Sequence, residues 1–240
     1  MGILEEAMIH LDQGTRVAEP NHSPFVTVSY AQSLDGSIAQ RPGHPLNISS
    51  RDSLILTHRL RAIHEAILVG IGSVLADDPQ LTVRHATGRN PQPVILDSRL
   101  RFPSYAKLLN GSRPVPWIVT SDQADRSREQ TLKGLGAEII RLPADEDGRI
   151  NIRTLMRCLA QKGIRSLMVE GGSQVITSFI LARAVNQFVV CIAPFFVGGT
   201  PIIDVTAGLK PSQYPRLVNI YHEKVGSDLI LRADTNWSEP

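Results

Sequence analysis

The chain has 240 residues, 42% of them hydrophobic and 20% charged, with a formal net charge of +2. That composition suits a globular protein with a sizeable core, and no block of like charges points to nucleic acid or a membrane surface. Recognition of an anion therefore has to come from locally placed arginine or lysine.

Cys158 and Cys191 lie far apart and form no Cys-x-x-Cys, which gives a thiolate metal site no support and fits a reduced compartment. The N-terminal stretch carries Glu5, Glu6 and Asp12 instead of a basic region before an apolar run, and the longest apolar run, 188–197, is too short to span a bilayer. The expected location is the cytoplasm.

Residues 1–23 read as a polar lead-in with one possible helical turn, closed by Pro20 and Pro24. From Phe25 the pattern becomes regular. Residues 25–30 alternate and are rich in β-branched side chains, which predicts a strand, and Ser-Leu-Asp-Gly at 33–36 predicts a turn. Ser49 and Asp52 have capping-box spacing, and Leu56, Leu60 and Ile63 repeat at helical spacing, so a helix is expected over 51–64. Short apolar runs at 66–70, 93–96, 117–119, 137–140, 167–169 and 188–192 are expected to be strands covered on both faces. Helical candidates lie between them at 127–135, 152–162 (with Asn151 as N-cap) and 174–184. The chain ends in two strand-like segments, 216–221 and 228–232, joined by a turn at Gly226. Strands alternating with helices imply an α/β fold: a mostly parallel central sheet, helices on both faces and an antiparallel C-terminal edge hairpin. No linker divides the chain, so residues 24–240 are expected to form a single domain.

Ligands of open α/β sheets bind beyond the carboxyl ends of the strands. Four such ends carry unusual residues. Val169-Glu-Gly-Gly-Ser173 ends a strand in a carboxylate and two glycines before a helix, which suits a phosphate at the helix N-terminus; a plain tight turn is the alternative. Gly70-Ile-Gly-Ser73 leads through Asp77 and Asp78 to Pro79, where one aspartate, Asp78 more than Asp77, has a structural reading as a turn cap. Arg59, Arg61 and Arg84 flank that segment, and a guanidinium binds phosphate in bidentate fashion, although a helical arginine is more often solvated. Asp97 and Ser98 close a further strand and suit ribose or phosphate, with a turn cap as competitor. Zinc deaminase, P-loop and Gly-x-Ser-x-Gly hydrolase patterns are absent, as is Gly-x-Gly-x-x-Gly. The remaining profile, phosphate-friendly strand ends without a metal or nucleophile set, is that of a hydride-transfer enzyme whose cofactor supplies the reactive atom.

These segments, in this order, resemble the reductase domain of the bifunctional riboflavin-biosynthesis deaminase–reductases and its stand-alone fungal and archaeal relatives. The most specific stretch is Leu-Ala-Asp-Asp-Pro-x-Leu-Thr-Val-Arg at 75–84; residues 24–36, Ile48-Ser-Ser50, Leu60-Arg61, 67–70, Leu96-Asp-Ser98 and Val169-Glu-Gly-Gly172 support it. The resemblance implies a dihydrofolate-reductase-like fold, a homodimer, and NADPH as hydride donor to the ribosyl C1′ of a phosphorylated aminopyrimidine. It further implies that Gln32, Asn47, Ser73, Asp77, Asp97, Ser98 and the segment from Gly171 through Gly172, Ser173, Gln174 and Val175 to Thr177 contact NADPH. By the same resemblance Arg61, Leu81, Arg84 and Glu170 line the substrate pocket, the arginines facing the 5′-phosphate and Glu170 orienting the substrate. Two positions depart from the bacterial bifunctional members, which carry Lys at the place of Ser29 and Trp at the place of Asn47, and the Tyr-Ala-Gln-Ser-Leu-Asp pattern at 30–35 resembles the fungal type more closely. The resemblance leaves diamino and deaminated substrates open. Other readings are a reductase of a pterin, folate or other heterocycle, for which Arg61 and Arg84 would have little to bind, and a dinucleotide-binding sensor.

Overall fold

The computed structural model describes residues 2–17, 23–41, 43–110, 114–203 and 214–237; Pro20, expected to close the lead-in, lies outside them. Helix α1 (Ile3–Val17) comes first, where the sequence indicated a polar lead-in with a single turn. The difference has a packing cause. Ile3, Ala7 and Leu11 recur every fourth residue and all are buried, so one narrow face is held against the terminal hairpin, the first strand and the following helix.

Strand β1 (Phe25–Ser33) outruns its predicted end by three residues before turning into β2 (Ser37–Arg41) and β3 (His44–Pro45). Helix α2 (Arg51–Ile63) matches the expected span, but its N-cap is Ser50, accepting the Ser53 N–H at 3.3 Å, one residue later than the Ser49–Asp52 spacing indicated. Strand β4 (Ala66–Gly70) is buried along its whole length and passes directly into α3 (Ile71–Asp77), a short helix where a turn was expected. Then follow β5 (Gln92–Leu96), β6 (Trp117–Ser121), α4 (Arg126–Gly134), β7 (Glu138–Leu142), α5 (Ile152–Gln161), β8 (Ser166–Val169), α6 (Ser173–Leu181), β9 (Gln187–Ala193), β10 (Thr200–Pro201), β11 (Arg216–Val225) and β12 (Asp228–Asn236). Asn151 caps α5 as predicted, its side chain accepting the Thr154 N–H at 3.1 Å.

The main sheet has the order β11-β12-β9-β1-β8-β4-β5-β6-β7, and β10-β2-β3 form a small second sheet. Pairings from β9 through β7 are parallel, whereas β12 pairs antiparallel with both β9 and β11. This is the expected α/β architecture, with the hairpin longer than its two predicted segments. One face carries the larger core, with Leu155, Leu159 and Phe179 over the central strands. The other carries Ile67, Val69, Ile95 and Ile118 under Phe102 and Leu132, with Leu60 and Ile3 nearby in a third cluster. The hairpin also clasps the start of α2: the Ser50 N–H donates to Asp228 Oδ2 at 2.7 Å. Among the described residues, no helix is long and apolar enough to cross a membrane.

Candidate functional site

The parallel strands β1, β8, β4, β5 and β6 end on one side of the sheet, and the expected site residues gather there. Two turns form the middle of this edge. After β8, Glu170 keeps its backbone N–H on Leu68 O at 3.0 Å, so the strand pairing is carried one residue further before the chain breaks away at Gly171. After β4, Gly70 caps α3. The turns pack on each other through Val175: a Cβ on Gly70 would stand 2.7 Å from its side chain, and one on Gly171 would stand 2.9 Å from it. Gly70 thus packs across against Val175 of α6 and Gly171 packs against the same side chain of its own following helix, a reason for both glycines that the sequence does not display. Gly172 differs, since its Cβ direction meets only Ser73 Oγ, at 3.7 Å. It is the N-cap of α6 and has no side-chain capping bond, which leaves the first N–H groups of the helix unclaimed by a cap beside the Ser73 hydroxyl.

Glu170 projects toward α2. Its carboxylate takes a two-pronged pair of hydrogen bonds from Arg61, Nε to Oε1 and Nη2 to Oε2, each at 2.7 Å. Both side chains are mostly buried, at 11% exposure for Arg61 and 13% for Glu170. Burial by itself lowers the Arg61 guanidinium, but the Glu170 charge and hydrogen bonds outweigh it and hold the group above its ordinary value. The remaining Arg61 donor, Nη1, reaches Thr82 O at 3.1 Å.

That last bond draws in the 81–84 segment. Leu81 sits at φ +52° with its side chain almost wholly buried, so it anchors the segment in the core and can offer a ligand only its backbone. Arg84 is exposed; Nη1 donates to Thr82 Oγ1 at 3.0 Å and more loosely to Gln80 Oε1 at 3.3 Å, and among the described residues it forms no ion pair. Its guanidinium is lowered, first by partial desolvation and then by the Arg61 charge. The arrangement is two arginines and one carboxylate, a net positive corner at the strand ends.

Sequence reasoning passed over His58. This side chain is fully buried one helical turn before Arg61, accepts the Arg84 backbone N–H on Nδ1 at 3.0 Å, and packs edge-on against His85 with ring centroids 4.7 Å apart. Burial, then the Arg61 and Arg84 charges, lower it to about 4. The available signal was its spacing of three from Arg61. Asp35, read only as a local turn residue, also reaches further: beyond Ser33 and Ser37 it accepts the N–H groups of Val197 and Gly198 at 3.0 and 2.7 Å, tying the β1–β2 turn to the loop after β9. Those four donors hold its carboxyl well below the usual carboxylate range.

The remaining candidates divide. Ser98 lies beyond β5 in a cavity of about 300 Å³ shared with Arg99, Ser121, Gln123 and Asp125 at the end of β6. Asp97, expected at the cofactor, has its carboxylate turned inward and fully buried, with Oδ2 accepting the Phe102 N–H at 2.8 Å, which is the turn-cap geometry. Asp78 is likewise structural, accepting the Lys107 N–H at 2.9 Å from a left-handed conformation, while its neighbour Asp77 is exposed. Gln32 is half-buried on β1, and Asn47 is exposed just past β3, a strand that touches α3. Ser173 is half-buried and Gln174 exposed, Val175 is core, and Thr177 is buried.

A family model described as the RibD C-terminal domain matches residues 24–231. The chain is 34% identical over 223 residues to the 2,5-diamino-6-ribosylamino-4(3H)-pyrimidinone 5′-phosphate reductase of Archaeoglobus fulgidus, covering 89% of this chain and 99% of that one. It is 37% identical over 214 residues to the protein of the same name from Methanothermobacter thermautotrophicus, covering 87% and 96%. Among solved structures, Acinetobacter baumannii RibD (form 1) superposes with a TM-score of 0.80 at 26% identity, covering 98% of this chain, which spans only 64% of that longer protein. The riboflavin biosynthesis reductase Rib7 of Saccharomyces cerevisiae superposes with a TM-score of 0.73 at 27% identity, over 96% of this chain and 100% of that one.

Proposed function

The chain belongs to the RibD C-terminal domain family, and from that premise we propose that it reduces the ribosyl side chain of 2,5-diamino-6-ribosylamino-4(3H)-pyrimidinone 5′-phosphate to ribityl. The observation that carries this reading is the positive corner made by Arg61, Glu170 and Arg84 beside the α6 N-terminus. It provides one place for a phosphorylated substrate and another, a step away, for the phosphates of a dinucleotide. The diamino compound is preferred over its deaminated form because relatives matched along nearly their whole length carry that name. They also favour a phosphorylated pyrimidine over a pterin or folate.

The residues present fit NADPH. Gly172 has room around its Cβ direction, the α6 N–H groups lack a side-chain cap, and Ser73 lies beside them, as phosphate binding requires. We assign to that cofactor Ser73, Asp77, Gln32, Asn47, Ser98 and the backbone from Gly171 to Thr177. When bound, NADPH supplies a hydride. The protein's own part is placement. Arg84 takes the 5′-phosphate, the backbone at Leu81 borders the substrate, and Glu170 holds Arg61 so that one of its faces meets the same anion. Because Glu170 is committed to Arg61 through both oxygens, its role is to orient and to balance charge. Exposed Leu217, Ile220 and Leu229 on the terminal hairpin support a homodimer, and a biosynthetic role on a diffusible substrate supports a cytoplasmic location.

The test is to follow loss of NADPH absorbance with the diamino substrate, its deaminated analogue and its dephosphorylated form. Turnover with the first, and a KM raised at least tenfold on removing the phosphate, is the expected result. Equal use of the dephosphorylated compound would overturn the assignment of the arginines.

A further inference from the structure

We propose that His58 is the positioning residue of the phosphate-binding corner, setting Arg84 by receiving its backbone N–H on Nδ1. This rests on the functional reading only in taking Arg84 as the anion-binding group.

The 81–84 segment belongs to no strand or helix, yet its backbone is claimed at successive residues by side chains. Arg61 takes Thr82 O at 3.1 Å, Asn90 Oδ1 takes the Val83 N–H at 2.8 Å, and His58 takes the Arg84 N–H at 3.0 Å. His58 and Arg61 are three residues apart on α2, so one helix face holds the segment at Thr82 and Arg84, in place of a neighbouring strand. Leu81, buried and left-handed, fixes where the segment begins. The outcome is an exposed arginine on a backbone that cannot drift, beside a second arginine already locked to Glu170.

The imidazole does this at a cost. An Nδ1 that accepts a hydrogen bond puts the proton of the neutral ring on Nε2, and among the described residues that buried atom has no hydrogen-bond partner, while the ring meets His85 edge-on. An apolar side chain would fill the same place without stranding a donor. The ring is therefore retained for its other nitrogen. Protonation is also disfavoured there, first by burial and then by the charges of Arg61, Arg84 and His85, with Glu170 opposing them. The acceptor stays available across the working range.

The experiment compares His58→Asn with His58→Gln. An asparagine amide oxygen reaches the position of Nδ1, whereas a glutamine amide extends to the position of Nε2 and leaves the Arg84 N–H unpaired. The expected result is a KM for the phosphorylated substrate within about threefold of wild type for Asn and raised about tenfold for Gln, with kcat and NADPH affinity much less affected. Calorimetric titration with inorganic phosphate and with ribose 5-phosphate should show the same order without any turnover. Equal affinity in both variants, or loss in Asn matching that in Gln, would overturn the role. So would a parallel loss of NADPH binding, which marks general damage. If Gln does not fold, His58→Ala takes its place: phosphate affinity lower in Ala than in Asn supports the role, and equal affinity in the two removes it. Wild type without turnover on any phosphorylated pyrimidine would sink the functional reading, while the phosphate titrations would still decide the place of His58.

Discussion

Two arginine–carboxylate pairs of this molecule look alike and do different things. Arg61 and Glu170 meet at the carboxyl ends of the parallel strands, with Thr82 O as the only other partner of the guanidinium among the described residues and Arg84 nearby as a second cation. Arg232 and Asp234 meet on β12 beneath α1. Arg232 is fully buried and also reaches Gln187 Oε1 and Asn219 O, while His10 of α1 stands 3.2 Å from Asp234. The hydrogen bonds continue from Gln187 to Thr27 Oγ1 at 2.9 Å and from there to His64 Nε2 at 2.8 Å. Burial lowers the Arg232 guanidinium despite Asp234, whereas Glu170 keeps Arg61 raised. Charge in the Arg232 network is closed on itself. At the Arg61 corner, among the described residues, it is not: Arg84 adds a positive charge there that no carboxylate matches, and this excess is what the proposed anion site rests on.

The largest expected effects come from cutting each pair. Arg232→Leu strands Asp234 and opens the hydrogen-bond chain, which should cost about 3–5 kcal/mol of stability, while the folded fraction keeps its KM. Glu170→Gln should do the reverse: a fall in kcat/KM of about a hundredfold, or ~3 kcal/mol of transition-state binding, with a much smaller change in melting temperature. Denaturant titration and initial-rate kinetics on both variants check this, and a crossed result would merge the two regions into one structural network.

Gly171→Ala comes next. The added methyl stands 2.9 Å from Val175, so overpacking should cost about 1–3 kcal/mol and raise the KM for NADPH more than that for the pyrimidine. The second change Val175→Ala should relieve much of both. A variant whose stability falls without any effect on NADPH would separate the 70–73 and 170–175 turns from cofactor binding.

Both regions contain a buried neutral histidine, and both are lowered to about 4, first by burial: His58 near Arg61, Arg84, His85 and Glu170, and His64 between Leu60 O and Thr27. An unfolded histidine titrates near 6.5, so the unfolded chain binds more protons between about pH 6.5 and 4. Their contribution to stability is complete above that window and lost as pH falls through it. Chemical denaturation between pH 6.5 and 5, above most carboxylate titration, should show this slope. His58→Asn should flatten it in part; an unchanged slope would mean that the ring is already charged in the folded protein.

The legible parts of this structure are those whose cause is local. Strand runs such as 66–70 carry their burial in the residues themselves, and Asn151 caps α5 through its own side chain. Helix α1 was hidden because its fully buried face is only Ile3, Ala7 and Leu11, with Met8 and Ile9 left exposed, and it takes the hairpin, the first strand and α2 packed over them to make that sufficient. Helix α3 was hidden because it begins without a side-chain cap and follows a strand without a break. At the site, strand-end glycines and arginines were visible, and the family resemblance supplied their roles. The Arg61–Glu170 pair spans 109 positions, and neither spacing nor propensity shows that the two meet. Gly171 stood out in the sequence as a place where a ligand could approach the backbone, whereas the close neighbour the structure gives it is Val175.

Asp97 tests the boundary between those two kinds of knowledge, with the smallest expected effect. As the residue ahead of Ser98 at a strand end it reads as a ribose ligand, but its carboxylate faces Phe102 and its Oδ1 has no hydrogen-bond partner among the described residues. Burial raises this carboxyl above its usual range, with the nearby backbone N–H groups opposing it. The folded state therefore favours the protonated form, and the ionised group weighs against folding increasingly as pH rises past the ordinary carboxylate range. Asp97→Asn keeps an acceptor for the Phe102 N–H and removes that charge. The variant should be within about 1 kcal/mol of wild type at pH 4 and relatively more stable at pH 7, with a KM for NADPH changed less than about twofold. A severalfold rise in that KM at unchanged stability would instead put the carboxylate on the cofactor, and would mean that the 97–102 turn opens when the cofactor binds.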